Sequence, residues 1–177
     1  MKIAITGHTK GLGKFLFDSF SKKNDVIGFS RSNGHHISTF QNIINKAIDV
    51  DVFINLVYLE TYQSKLFNLL FKKWVNETKT IININSSSIF REGGWNPEYV
   101  ADKKHLQDTT DSLIWSHPNK KVRVFNLHIG PLETHKGLNN FNKISSENIY
   151  NIINWMISQP SEIELRNVTI IPTTEKQ

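Results

Sequence analysis

The chain has 177 residues and a net charge of +5, a length that fits one domain large enough to bury a core without staples. With no cysteine and no stretch of about 20 apolar residues, it excludes disulfides, thiolate metal sites and a membrane-spanning helix. The positive charge is spread along the chain and suits an anionic small ligand as well as RNA, but no aromatic-basic motif supports a nucleic-acid role.

The N-terminal MKIAITG enters a strand pattern at once, without an apolar leader, so a soluble, cytoplasmic protein is expected. Lys2 to Thr6 reads as a strand, GHTKGLG as a Gly-rich turn and KFLFDSFSKK as a helix with Phe15, Leu16 and Phe20 at helical spacing. Asp25 to Ser30 is a second strand, His35 to Ser38 a short third, Thr39 to Lys46 a short helix and Asp51 to Leu56 a fourth strand. Thr61 to Asn76 is a helix with a wide apolar arc, which predicts a homodimer or homotetramer that covers it. Thr80 to Asn85 is the fifth strand, Pro97 to His117 a long amphipathic helix and Lys121 to His128 the sixth strand. Ser145 to Ser158 is the last helix and Leu165 to Ile171 the last strand. No repeat or linker interrupts this alternation, so residues 1–177 are expected to form one α/β domain. Its parallel sheet would be doubly wound, in three α/β/α layers of Rossmann type, with ligands at the carboxyl ends of the strands.

Two constellations stand on this framework. In the first turn, Gly7, Thr9, Lys10, Gly11, Leu12 and Gly13 follow a strand and open a helix, where small residues and free N–H groups suit a pyrophosphate. The second strand ends FSRS, with Ser30 where a carboxylate would favour NAD; Arg31 beside it and Lys10 in the turn predict NADP(H) as the preferred cofactor. The second constellation is Tyr99 and Lys103, at i and i+4 on one helix face after Pro97, with Ser86 standing 13 residues before Tyr99. A cation about 4 Å from a phenol, at an effective dielectric of ~20, is worth ~4 kcal/mol, or roughly three pKa units. Lys103 is therefore expected to lower the Tyr99 pKa and make it a general acid or base. Ser87 and Ser88 lie a small register change from Ser86, and the 13-residue spacing favours Ser86. The histidines lack the spacing of a helical metal pair, and no metal is expected. Phe90 and Trp95 flank the Gly93-Gly94 turn as pocket or packing residues.

The order and separation of TGHTKGLG, Ser86 and YVADK resemble the short-chain dehydrogenase/reductase family. Asp51 to Tyr58 is similar to the family's DVLVNNAG segment at Asp51, Val52 and Asn55, and Arg123 to His135 to its RVNAVAPGPVET, with Ile129 in place of the proline before Gly130. The closing helix and strand are similar to those of NADP-dependent hydroxy-acid members. The resemblance implies hydride transfer between a nicotinamide and the carbonyl or alcohol carbon of a small substrate. Tyr99 would be the proton donor, Lys103 the residue that lowers its pKa and holds the ribose, and Ser86 the anchor of the substrate oxygen. It also implies cofactor contacts from Asn55, Ile129, Gly130 and Thr134. The chain is shorter than its relatives before Asp51, after Tyr58 and after Thr134, which keeps open the alternative of an NADP(H)-binding regulator without turnover. The family's relay asparagine has no well-spaced counterpart, because Asn68 stands too close to Ser86.

Overall fold

The computed structural model describes residues 1–90, 96–135 and 142–173. Ile3, Ala4 and Ile5 are wholly buried, as befits a parallel strand covered on both faces, and they form the centre of β1 (Lys2–Thr6). There follow α1 (Gly11–Phe20), β2 (Asp25–Phe29), α2 (Phe40–Lys46), β3 (Val52–Asn55), α3 (Tyr62–Trp74), β4 (Thr80–Ser86), α4 (Pro97–Ser116), β5 (Arg123–Ile129), α5 (Ser146–Ile157) and β6 (Asn167–Ile170). Among the described residues, the strands make one parallel sheet in the order β2-β1-β3-β4-β5-β6. The chain leaves β1 for β2 on one side and crosses to β3 on the other, so the carboxyl ends of β1 and β3 flank a switch point, where a crevice opens.

The three-layer α/β/α architecture expected from the alternating pattern is present, with a hydrophobic cluster on each face of the sheet. One joins Leu12, Leu16 and Phe20 of α1 with Ile149, Ile153 and Met156 of α5 over Ile5, Ile54, Ile84 and Leu127. The other packs α2, α3 and α4 against Ala4, Phe53, Ile81 and Val124. Towards the carboxyl ends, this second face changes character. The parallel register sets Asn55 beside Asn83, Asn83 beside Asn126 and Asn126 beside Asn167, a row of asparagines across four strands. Asn85 and His128 form the next pair in the same direction.

One expectation needs correction. His35 to Ser38 is not a strand: Gly34, with φ of 81°, ends a 3₁₀ turn over Arg31–Asn33, and a second turn, Ile37–Thr39, is capped by the His36 ring, which accepts from the Ser38 N–H. Ile37 is buried against the second cluster, so the segment packs as a cap on the sheet, and β2 remains the edge. The apolar arc of α3 is largely covered within the chain. Leu66, Phe67, Leu70, Phe71 and Trp74 are wholly buried by their own chain, and Leu69 is the large apolar residue of this helix that stays exposed. The apolar arc therefore does not by itself call for a dimer or tetramer. No helix among the described residues is long and apolar enough to cross a membrane.

Candidate active site

The glycine-rich turn is set by close backbone approach. Gly7 and Gly11 have φ of 76° and 52°, and a Cβ on Gly13 would lie 2.1 Å from the Gly7 carbonyl oxygen. Only hydrogen fits there, and this brings the start of α1 onto the end of β1. That helix begins at Gly11 with no side-chain cap, so its first-turn N–H groups face the crevice without an internal acceptor. Thr6 fixes the opposite wall: its Oγ1 accepts from the N–H groups of Leu56 and Val57, at 2.9 and 3.1 Å.

A cleft of about 740 Å³ lies over this turn. Lys10, Leu12 and Gly13 of the turn line it together with Ser86, Tyr99 and Lys103 and with Ile129, Gly130 and Thr134. The structure thus brings together residues that the sequence holds far apart. Tyr99 is placed by the start of α4, where the Asn96 side chain accepts from the Tyr99 N–H and Pro97 occupies the first turn. Ser86 ends β4, and its hydroxyl lies 2.8 Å from that of Ser88.

Other candidates stand elsewhere. Asn55 is wholly buried, and its amide donates to the Gln63 carbonyl and to Asn83 Oδ1, at 3.1 and 3.0 Å, so it serves the asparagine row instead of facing the cleft. Ser30 is buried at the end of β2, where its N–H donates to Asn33 Oδ1 at 2.9 Å and its hydroxyl lies 2.9 Å from that of Ser32. Arg31 and Thr9 are exposed. Thr134 is exposed too and faces Gly11, whose Cβ, if it had one, would lie 3.6 Å from Thr134 Oγ1. Asn68 is partly buried on α3, with no hydrogen-bond partner for its Oδ1 among the described residues. Trp95 and the Gly93-Gly94 turn lie outside the described residues, and Phe90 stacks edge-on over His128 at 5.0 Å.

The electrostatics also differ from expectation. Lys103 is only 3% exposed; its Nζ donates to Gln63 Oε1 at 2.7 Å and to the Ile84 carbonyl at 3.0 Å. It stands 5.7 Å from the centre of the Tyr99 ring and 5.6 Å from that of Tyr58. Burial lowers the Lys103 pKa to about 7, with Asp102 opposing the shift. Burial likewise raises the Tyr99 pKa, against the pull of the Ser86 hydroxyl. The expected depression of the phenol by its neighbouring cation is absent, because both groups are desolvated and the ammonium is turned towards two neutral oxygens.

Four residues of this region escaped the sequence reading: Thr6, Tyr58, Gln63 and Asp102. Tyr58 lines the cleft with its ring edge-on to Tyr99 at 4.8 Å, and its hydroxyl donates to Asp102 Oδ2 at 2.8 Å. Burial and that bond push its pKa up to about 12. The available signal was Asp102 immediately before Lys103, a carboxylate placed to choose between a lysine and a phenol.

No protein-family model matches the chain, and comparison with curated proteins gives no match. Solved structures match over nearly its whole length. Serine dehydrogenase from Escherichia coli superposes with a TM-score of 0.75 at 13% identity, covering 97% of this chain and 98% of its own. A short-chain dehydrogenase from Burkholderia cenocepacia in complex with NADP gives 0.78 at 16%, covering 97% and 88%. 4-Hydroxyisoleucine dehydrogenase, complexed with NADH, gives 0.76 at 18%, covering 96% of each chain. At such identities the likeness is one of architecture: the chain has the fold of the short-chain dehydrogenase/reductases.

Proposed function

We propose that this protein is a member of that family and an NADP(H)-dependent oxidoreductase acting on a small carbonyl or alcohol compound. The observation that carries the reading is the single cleft lined both by the glycine-rich turn and by Ser86, Tyr99 and Lys103. The turn suits a dinucleotide, since the close approach at Gly13 and the uncapped start of α1 form a cradle of N–H groups for a pyrophosphate. The cofactor, when bound, supplies or accepts the hydride. The chain's residues do the rest. Ser86 holds the substrate oxygen, Tyr99 gives it a proton in reduction, and Lys103 stands behind the phenol and the ribose. Arg31 and Lys10, both exposed at the ends of β2 and the turn, are the cations for a 2′-phosphate.

The second reading, a nucleotide-binding regulator on the same fold, is favoured by the raised Tyr99 pKa and by a Lys103 ammonium already engaged by Gln63 and Ile84. One experiment separates them. NADPH consumption is followed across a panel of aldehydes, ketones and 3-oxo acids, with NADPH and NADH affinities measured by calorimetry. The enzyme reading expects turnover, tighter binding of NADPH, and a loss of about 100-fold to 10,000-fold in Tyr99→Phe with cofactor affinity nearly unchanged. Tight NADPH binding without turnover of any panel member selects the regulator; a Tyr99→Phe variant as active as the parent removes the phenol from the mechanism.

A further inference from the structure

Gln63 has every polar atom of its side chain assigned. Its Nε2 donates to the carbonyls of Asn55 and Ile84, at 2.8 and 3.0 Å, which leaves Oε1 to accept from Lys103 Nζ at 2.7 Å. Turning the amide over would set its NH₂ against an amine and its oxygen against two carbonyls, so the orientation is fixed by the backbone of β3 and β4. Gln63 is 2% exposed, so these contacts are shielded from bulk solvent. Lys103 Nζ has two acceptors, both neutral, and lies 5.6 and 5.7 Å from the centres of the Tyr58 and Tyr99 rings. The nearby carboxylate, Asp102, instead takes the Tyr58 hydroxyl.

We propose that Gln63 is a positioning residue for the reaction assigned to this cleft: its amide fixes Lys103 Nζ between the two tyrosine rings and holds it on uncharged acceptors alone. The inference rests on the reading of Ser86, Tyr99 and Lys103 as the reacting set. A neutral clamp lets the amine take either charge state according to what fills the cleft, whereas a carboxylate at this position would keep it an ammonium throughout. The ionisable groups around it are Asp102 and Tyr99 on α4, Tyr58 after β3, and His128 on β5, where burial dominates the lowered pKa and Lys103 adds a smaller push. Among these, Asp102 favours the ammonium, and burial outweighs it.

The test follows the Lys103 side chain by NMR in lysine-labelled protein, assigned through Lys103→Arg, in the parent, Gln63→Glu and Gln63→Met. Thermal melts establish that each variant is folded, and Gln63→Met, which keeps the length of the side chain, carries the test if Gln63→Glu does not fold. In the parent, Lys103 titrates near neutrality; Gln63→Glu raises its midpoint by about 1 to 3 pH units and moves the pH profile of NADPH oxidation the same way, and Gln63→Met lowers the midpoint below the parent's. Coincident titrations in parent and variants overturn the role of Gln63, even where Tyr99→Phe abolishes turnover. A shifted Lys103 in a protein that reduces no carbonyl leaves the amide's hold on the lysine standing and overturns the catalytic reading instead.

Discussion

Beneath α1 and α5 the sheet presents Ile54, Ile84 and Leu127, while beneath α3 and α4 the neighbouring residues of the same strands present Asn55, Asn83, Asn85, Asn126 and His128. Both faces are buried, yet they are held by different physics. An apolar face needs only volume and shape, and many packings of similar energy satisfy it. An amide face must find a partner for each donor and acceptor, so it admits few arrangements. The cleft lies where the second kind of face meets the carboxyl ends of the strands. Lys103 is the amide network's outermost member, reached from Thr110 through Asn83, Asn55 and Gln63. Cohesion therefore comes from the apolar clusters on both faces, and the placement of Lys103 from the amides at the carboxyl end of the second one.

The largest effect that divides the faces is a truncation in the apolar layer. Phe125 of β5 is wholly buried in the cluster under α1 and α5. Phe125→Ala should cost about 3–5 kcal/mol, through lost transfer energy and the cavity left behind. Denaturant unfolding measures it, and the effect on NADPH affinity in the protein that remains folded should be slight. A loss below 1 kcal/mol would mean that this apolar layer contributes little to stability.

Much of this organisation could be read from the chain. Repeated strand and helix patterns gave the layers, because a buried parallel strand and an amphipathic helix each have a period that shows locally. The spacing from Ser86 to Tyr99 and Lys103 located three residues that line the cleft, since a strand end and a helix start are fixed by short-range rules. The asparagine row could not be read so simply. Asn55, Asn83 and Asn126 are separated by whole helices, and only the register of β3, β4 and β5 makes them neighbours. The alternation of Asn83 and Asn85 with isoleucine in TIININ was a usable signal, for an amide inside a buried strand requires a partner on the helix above. Gln63 gave no such signal, standing as a polar residue near a helix start. His35 to Ser38 misled for the opposite reason: its extended appearance was overruled by Gly34 in the left-handed region and by a side-chain cap.

A pH series probes the polar face at its outermost member. The Lys103 pKa is depressed to about 7 in the folded protein and returns to its ordinary value, near 10.4, on unfolding. Between these values the unfolded chain holds a proton that the folded one does not, so rising pH favours folding. Below about 7 both states are protonated, and the penalty for burying the charge is present in full. Relative to Lys103→Met, which has no such group, the parent should gain stability from pH 7 to pH 10 by up to about 1.4 kcal/mol per unit. Urea unfolding of both proteins at each pH gives the difference. A flat difference over this window would show that the buried lysine keeps its proton, and the neutral clamp would then have to hold an ammonium throughout.

The smallest effect asks whether the polar face acts as a connected whole or as a set of local bonds. Thr110 is wholly buried on α4; its Oγ1 accepts from Asn83 Nδ2 at 3.2 Å and donates to the Leu106 carbonyl at 2.8 Å. Thr110→Val keeps the branched shape and removes the acceptor, which leaves one Asn83 proton without a partner and should cost about 1–2 kcal/mol. The network already tolerates gaps, since Asn55 Oδ1 and Asn126 Oδ1 have no hydrogen-bond partner among the described residues. Such tolerance argues that the loss stays local: Asn83 still accepts from Asn55 and Gln63 still grips Lys103, because each is anchored by the strand backbone as well. NADPH affinity and the Lys103 titration should therefore stay as in the parent while the unfolding midpoint falls. If the titration moves with the midpoint, the amides transmit strain from the far end of α4 to the cleft, and the polar face must be treated as one cooperative unit.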